Sequence, residues 1–215
     1  MSDLRYTLVS DGSSDEALLP LLNWLLRQNR VSRAIQAEWA DLRRLQRPPK
    51  SLPARIQWSI ELYPCDLVFV HRDAEREPPA IRVAEIEDAL TAAVKSTAVP
   101  PAVCVVPVRM QEAWLLFDEA ALRRAAANPN GRMPMALPPL ADVEQRPDPK
   151  GDLHELLREA SGLTGRRRRR LRVRACAKLV TQFIADFSPL RTLPAFSALE
   201  ADIRERVAEH NWAEA

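Results

Sequence analysis

The chain has 215 residues, 47% of them hydrophobic and 28% charged, which is the make-up of a folded globular protein and excludes the disordered and fibrous classes. Glycine occurs 5 times and proline 18 times, against average usages of about 7% and about 5%. That leaves little glycine for phosphate-cradling loops and weighs against nucleotide-binding folds built on several of them. The formal net charge is only +2, but of 31 basic residues just four are lysine, Lys50, Lys95, Lys150 and Lys178, and eight cations fall between Gly165 and Lys178 with no acid among them. Cys65, Cys104 and Cys176 are odd in number and far apart, as expected of buried reduced thiols. The opening MSDLRYTLVSDG lacks a signal-peptide pattern, and no window approaches the ~18 apolar residues of a membrane span. A cytoplasmic protein with no membrane association is expected.

Residues 5–10 read as a short strand. Ser13 and Glu16 then have the spacing of a capping box, opening a helix whose apolar stripe runs through Leu18, Leu22, Leu25 and Leu26. A weaker strand is predicted over 34–39. Pro53 suits a first helical position, and Ile56, Ile60 and Tyr63 share a face of the helix after it. Residues 66–70, Asp-Leu-Val-Phe-Val, look like a parallel strand buried on both faces. An acidic loop ends it, followed by a helix over 81–94, a buried strand over 103–108 and a helix over 111–127 broken near Asp118. Six prolines from Pro129 to Pro149 interrupt the pattern. Helices are expected beyond them over 152–160, 168–187 and 195–210. Strands alternating with helices imply right-handed crossovers and a mostly parallel sheet covered on both faces, hence an α/β fold. The expected organisation is an α/β domain over 1–127, a proline-rich loop over 128–150 and a helical extension over 151–215 packed on the domain.

In an open parallel sheet, the functional cleft lies beyond the carboxyl ends of the strands. The first strand delivers Asp11, with Asp15 a turn later; the weak second one ends near Glu38 and Asp41. The third delivers His71, Asp73 and Glu75, whose alternation in an extended segment points all three one way. Glu112 follows the fourth. Hard oxygen ligands gathered at one edge suit Mg²⁺ or Mn²⁺, and two such ions clamp both oxygens of a phosphoryl displacement. The same acids also suit plainer roles: Asp11 and Asp15 as helix caps, Asp73 and Glu75 as solvated loop charges.

The stretch Leu8-Val9-Ser10-Asp11-Gly12-Ser13-Ser14-Asp15-Glu16 resembles the first motif of Toprim domains, the fold of topoisomerases, primases and OLD nucleases. There a strand ends in an acid plus glycine and a second acid opens the next helix. Asp66 to Glu75 resembles their second motif, an apolar strand ending in acids two apart. Glu112-Ala113-Trp114-Leu115-Leu116-Phe117-Asp118 is similar to a segment of a bacterial Toprim-like family whose members sit beside ATPases in phage-defence loci. The likeness covers residues 5–118 by motif and, more loosely, the surroundings of Pro149-Lys150 and Pro194-Ala195-Phe196.

The resemblance implies a divalent-metal-dependent nuclease acting on DNA or RNA as the effector of a defence complex with an ATPase. Asp11, Asp73 and Glu75 would hold the metal, Asp15 would assist, and Glu112 or His71 would handle the proton. The rival reading is a catalytically silent binding or regulatory subunit on the same fold, with oligomerisation left open. Two departures bear on this choice. Asp11 stands where Toprim enzymes usually carry glutamate, and His71-Arg72-Asp73 replaces their D-x-D. Imidazole is a poor Mg²⁺ ligand that suits transition metals better, so His71 reads equally as a general acid or base, as the mark of a silent site, or as structural.

The last feature is the basic run: Arg166, Arg167, Arg168, Arg169, Arg170, Arg172, Arg174 and Lys178. Cations in the first turns of a helix oppose its macrodipole by a few tenths of a kcal/mol each, so local stability does not explain them. A solvated face is one reading. Phosphate contacts along a nucleic-acid backbone are the sharper one, because arginine forks match phosphate oxygens. No GxxxxGK[ST] loop, GxGxxG, GxSxG elbow or CxxC pair occurs.

Overall fold

The computed structural model describes residues 3–95 and 97–213. Four strands, β1 (Leu4–Val9), β2 (Ile35–Trp39), β3 (Leu67–His71) and β4 (Ala102–Val105), form one sheet in the order β2-β1-β3-β4, and every neighbouring pair is parallel. β3, apolar up to its last residue, His71, is buried throughout, as its hydrophobic run requires. Helices α1 (Leu19–Gln28), α2 (Leu52–Leu62) and α3 (Pro79–Val94) supply the crossovers, and α4 (Glu119–Ala125), α5 (Pro149–Ala160), α6 (Gly165–Arg170), α7 (Val173–Phe183) and α8 (Pro194–Glu209) follow the last strand. The chain is therefore an α/β protein with a parallel sheet and a helical carboxyl-terminal region.

The period of two along each strand sends alternate side chains to two separate apolar layers. Leu4, Tyr6, Leu8, Phe69, Val103 and Val105 face one core, shared with α1 and the carboxyl-terminal helices. Val9, Val68 and Val70 face the other, beneath Ile56 of α2 and Ile86 and Ala89 of α3. The helical region has no separate core. Leu153 and Leu157 of α5, Val180 of α7 and Phe196 and Ile203 of α8 all belong to the first layer. Edge-to-face ring contacts lock it: Trp114 with Phe196 at 5.5 Å between centroids, Trp24 with Phe187 at 5.7 Å and Tyr6 with Phe69 at 5.0 Å. The proline-rich stretch is irregular apart from a 3₁₀ turn over Leu140–Gln145, and it too drops Val143 into this core.

Several boundaries differ from expectation for identifiable reasons. The capping box is not formed. Residues Asp15–Leu18 make a 3₁₀ turn and α1 starts only at Leu19, because Pro20 has no N–H and its ring would collide with the carbonyl of residue 16 in a continuous α-helix. β4 stops at Val105, two residues before Pro107. The expected 168–187 helix is two helices, α6 and α7, parted at Leu171 and Arg172. Five successive arginines repel one another at i,i+3 and i,i+4, and α6 buries none of its residues, so nothing ties it to its neighbour. The break near Asp118 is present: its side chain caps α4 by accepting from the Ala121 N–H at 2.9 Å.

All three cysteines are unpaired and half-buried, and burial holds their thiols protonated, with Cys104 pushed up to about 12. Among the described residues no helix is long and apolar enough to cross a membrane.

Because α8 shares the core of the sheet, Phe196→Ala is expected to cost about 3–5 kcal/mol by opening a cavity beneath Trp114. Denaturant unfolding followed by far-ultraviolet circular dichroism and by tryptophan fluorescence should then give one coincident, shifted transition. A loss under 1 kcal/mol, or two separated transitions, would show the helical region to be an appendage.

Candidate functional site

The acids expected to gather at one edge are divided by the same alternation that divides the core. Asp11 lies in register with Val9 and Arg72 with Val70, so both turn toward the α2–α3 face. There Asp11 is ion-paired with Arg55 of α2 and with Arg72 at 3.4 Å, while Arg55 also donates to the Ser10 carbonyl. Arg72 and Arg82 go on to Glu85 at 3.6 and 2.8 Å. Glu75 joins this side as well. Its φ of +55° puts the chain in the left-handed region, so the extended alternation ends before it and its exposed carboxylate turns to Arg82 at 3.6 Å. The sequence reading placed Asp11, Asp73 and Glu75 together; the structure brings Asp73 to the other side, away from these two. Asp41 caps a 3₁₀ turn by accepting from the Arg43 N–H.

On the opposite side, Asp15, His71, Asp73 and Glu112 form one group organised by Gln111. The backbone N–H of Gln111 donates to Asp73 Oδ1 at 2.9 Å and its side-chain amide donates to Asp15 Oδ1 at 2.8 Å. Asp15, buried at 6% exposure, also accepts from the Gly12 N–H and the Ser14 hydroxyl. Gln111 is delivered by the loop after β4, which turns back through Arg109 at φ +63° and is pinned to the loop after β3 by the Glu75 N–H donating to the Arg109 carbonyl. Glu112, 7% exposed, meets Lys150 at 3.2 Å.

His71 is 2% exposed. Its Nδ1 lies 3.0 Å from the Val105 carbonyl, which can only accept, so Nδ1 carries a proton and Nε2 faces Asp73 Oδ1 at 3.5 Å. Burial, set against His71 and reinforced by Glu112 and Asp15, pushes the Asp73 carboxyl from 3.8 up to about 6.

This group backs onto a cleft of about 350 Å³ between α5, α7 and the Asp15 turn. Gln111 and Glu112 form the wall it shares with the acids; Lys150, His154, Arg174 and Lys178 form the cationic wall. Burial, helped by the cations of Arg158 and Lys150, holds the His154 imidazole below its usual range. Of the basic run, only Arg174 and Lys178 reach the cleft. Arg166, Arg167, Arg169, Arg170 and Arg172 are exposed, and Arg168 pairs with Glu155.

Sequence reasoning missed Gln111, Lys150 and His154. Gln111 occupies the same position after a strand that singled out Glu112. Lys150 and His154 are four apart beside the apolar stripe of Leu153, Leu156 and Leu157, a spacing that puts both on one helix face.

Fold and cleft together define a parallel α/β protein with acids and cations meeting at the carboxyl edge of its sheet. No protein-family model matches the chain, no curated protein matches its sequence, and no solved structure matches its fold.

An acid whose pKa is higher in the folded chain takes up a proton on folding. The contribution of Asp73 to stability is therefore full below 3.8 and lost as the pH rises through about 6. Asp73→Asn keeps an acceptor for the Gln111 N–H and removes the charge. It is expected to stabilise the protein by about 1–2 kcal/mol at pH 7.5, with allowance for the partial exposure of the side chain, and to change little at pH 4. Thermal melts across that range check the sign; a uniform loss at all pH values would contradict it.

Proposed function

We propose that the chain is a Toprim-like protein that binds nucleic acid through its phosphates and hydrolyses a phosphodiester bond with a divalent cation, Mg²⁺ or Mn²⁺. The observation that carries this reading is the shared Gln111–Glu112 wall, with the buried Asp15 and the half-buried Asp73 behind it and Lys150, Arg174 and Lys178 across the cleft in front. Cations that hold a phosphate beside carboxylates that hold a metal are the two halves of a phosphoryl-transfer site. The ATPase partner of this reading is supplied by the resemblance of residues 5–118.

The metal set is revised to Asp15, Asp73 and Glu112. Three hard carboxylates in one region, with Asp73 raised by burial and by its acidic neighbours, are the donor chemistry of Mg²⁺ or Mn²⁺. Among the described residues no three His, Cys, Asp or Glu side chains already converge as a metal cage, so to hold a metal Asp15 would give up the Gln111 amide and Glu112 would give up Lys150. A metal held there would supply Lewis-acid polarisation of a phosphoryl oxygen. Lys150, Arg174 and Lys178 fix the phosphate. Asp73, its carboxyl raised to about 6, stands next to His71, which is too buried to touch substrate and acts by orienting Asp73. The exposed arginines of α6 extend the cationic track of α7 along the nucleic-acid backbone.

The test is hydrolysis of linear and circular DNA and of single-stranded RNA with Mg²⁺ or Mn²⁺. Activity is expected, lost at least 100-fold in Asp73→Ala and Glu112→Ala variants that keep their circular dichroism. No hydrolysis of any substrate with either ion would overturn the catalytic reading. A second reading, a silent nucleic-acid-binding subunit, is favoured by one observation: Asp11 and Glu75 are occupied by Arg55, Arg72 and Arg82. Retained binding without hydrolysis would select it.

If α6 lies along the backbone, each neutralised phosphate releases counterions. Changing Arg167, Arg169 and Arg170 to glutamine should lower the slope of log affinity against log salt by about one unit per lost contact, equally for unrelated sequences. An unchanged slope would remove α6 from the interface.

A further inference from the structure

We propose that the cleft between α5 and α7 seats a dianionic phosphate monoester carried by a nucleotide, either free or at the end of a polynucleotide. The nucleotide part rests on the nucleic-acid reading above; the monoester follows from the charge and shape of the cleft.

Two helices begin at this cavity. Lys150 is the second residue of α5 and Arg174 the second of α7, and one turn further on stand His154 and Lys178, so each helix presents a pair at i and i+4 to the same space. A helix amino end already carries partial positive charge, and a cation placed there opposes it. The sequence places such cations at two helix ends around one cavity, where an anion would turn both repulsions into attractions. Acids within the protein offset only part of this charge. Lys150 meets Glu112 at 3.2 Å and Lys178 stands 3.9 Å from Glu16, whereas Arg174 has no acidic partner among the described residues. His154 adds a ring that gains a proton when an anion arrives.

Lys150, Arg174, Lys178 and a His154 that takes up a proton on binding outnumber Glu112 and Glu16 by two, a balance that a dianionic monoester meets better than a backbone diester with one charge. Its size points the same way. At about 350 Å³ the cleft lies at the low end of the ~300–1,000 Å³ that small-ligand pockets span, room for one nucleotide at a time. Leu115 and Leu153 offer an apolar patch for the base or sugar.

The experiment uses the full chain in EDTA and measures binding by calorimetry of a dinucleotide phosphorylated at its 5′ or 3′ end, the same dinucleotide with hydroxyl ends, and a nucleoside monophosphate. A phosphorylated ligand is expected to bind at least tenfold more tightly than the hydroxyl form. Arg174→Gln and Lys150→Gln should each remove most of that advantage while melting as the wild type does. The His154 ring, followed by NMR, should titrate at higher pH with ligand bound. Equal affinity of the mononucleotide and the phosphorylated dinucleotide would assign the site to free nucleotides, and preference for the dinucleotide to polynucleotide ends; either outcome supports the proposal. Equal binding of phosphorylated and hydroxyl forms, or no saturable binding of any of them, would overturn it. Hydrolysis of nucleic acid by a chain that binds the phosphorylated and hydroxyl forms equally would leave the nuclease reading standing without this one. Tight binding of the monoester with no hydrolysis under Mg²⁺ or Mn²⁺ would do the reverse.

Discussion

The two-residue alternation of β3 is the constraint on which the rest of the molecule depends. Each of its residues is buried, and successive side chains enter different cores, one under α2 and α3 and the other under α1 and the carboxyl-terminal helices. A strand placed this way cannot slip by one position without driving Phe69 and Val70 into the wrong layers. Because the alternation runs on through the strand end, it also decides where the first charged residues go. His71 falls on the side of Phe69 and Arg72 on the side of Val70.

From that division come two electrostatic environments a few residues apart. On the α2–α3 side, Asp11, Glu75 and Glu85 are neutralised by Arg55, Arg72 and Arg82, an exposed or half-exposed network of modest energetic weight. On the other side, Asp15 and Glu112 are buried and Asp73 half-buried, with fewer cations to offset them. Gln111 satisfies Asp15 and Asp73 at once, but a neutral amide and one backbone N–H do not cancel buried charge, and Asp73 responds by holding its proton to higher pH. The imbalance is relieved across the cleft, where the helical region supplies Lys150, Arg174 and Lys178. This is why the helical region is inseparable from the site: the core that docks α5 and α7 on the sheet also sets their cationic ends opposite the acids.

The sequence by itself determined the class of fold and most of the elements. Apolar runs of strand length separated by amphipathic helical ones leave few alternatives to a parallel α/β sheet, and Asp118 is a local signal that acts through a side-chain cap, whereas the apolar pattern reads straight through the stops that Pro20 and Pro107 impose. It also singled out Asp15, His71, Asp73 and Glu112, because position after a strand is a local property. What only the tertiary structure decided was which of those residues meet. Asp11 and Glu75 have the spacing of ligands, yet a partner on α2, a partner on α3 and one left-handed residue turn them elsewhere. Lys150 and His154 lie more than 70 residues beyond Asp73 in a stretch that reads as an ordinary amphipathic helix. Their place in the cleft depends on how α5 packs through Leu153 and Leu157, and packing is a sum over contacts from the whole chain that no local pattern contains.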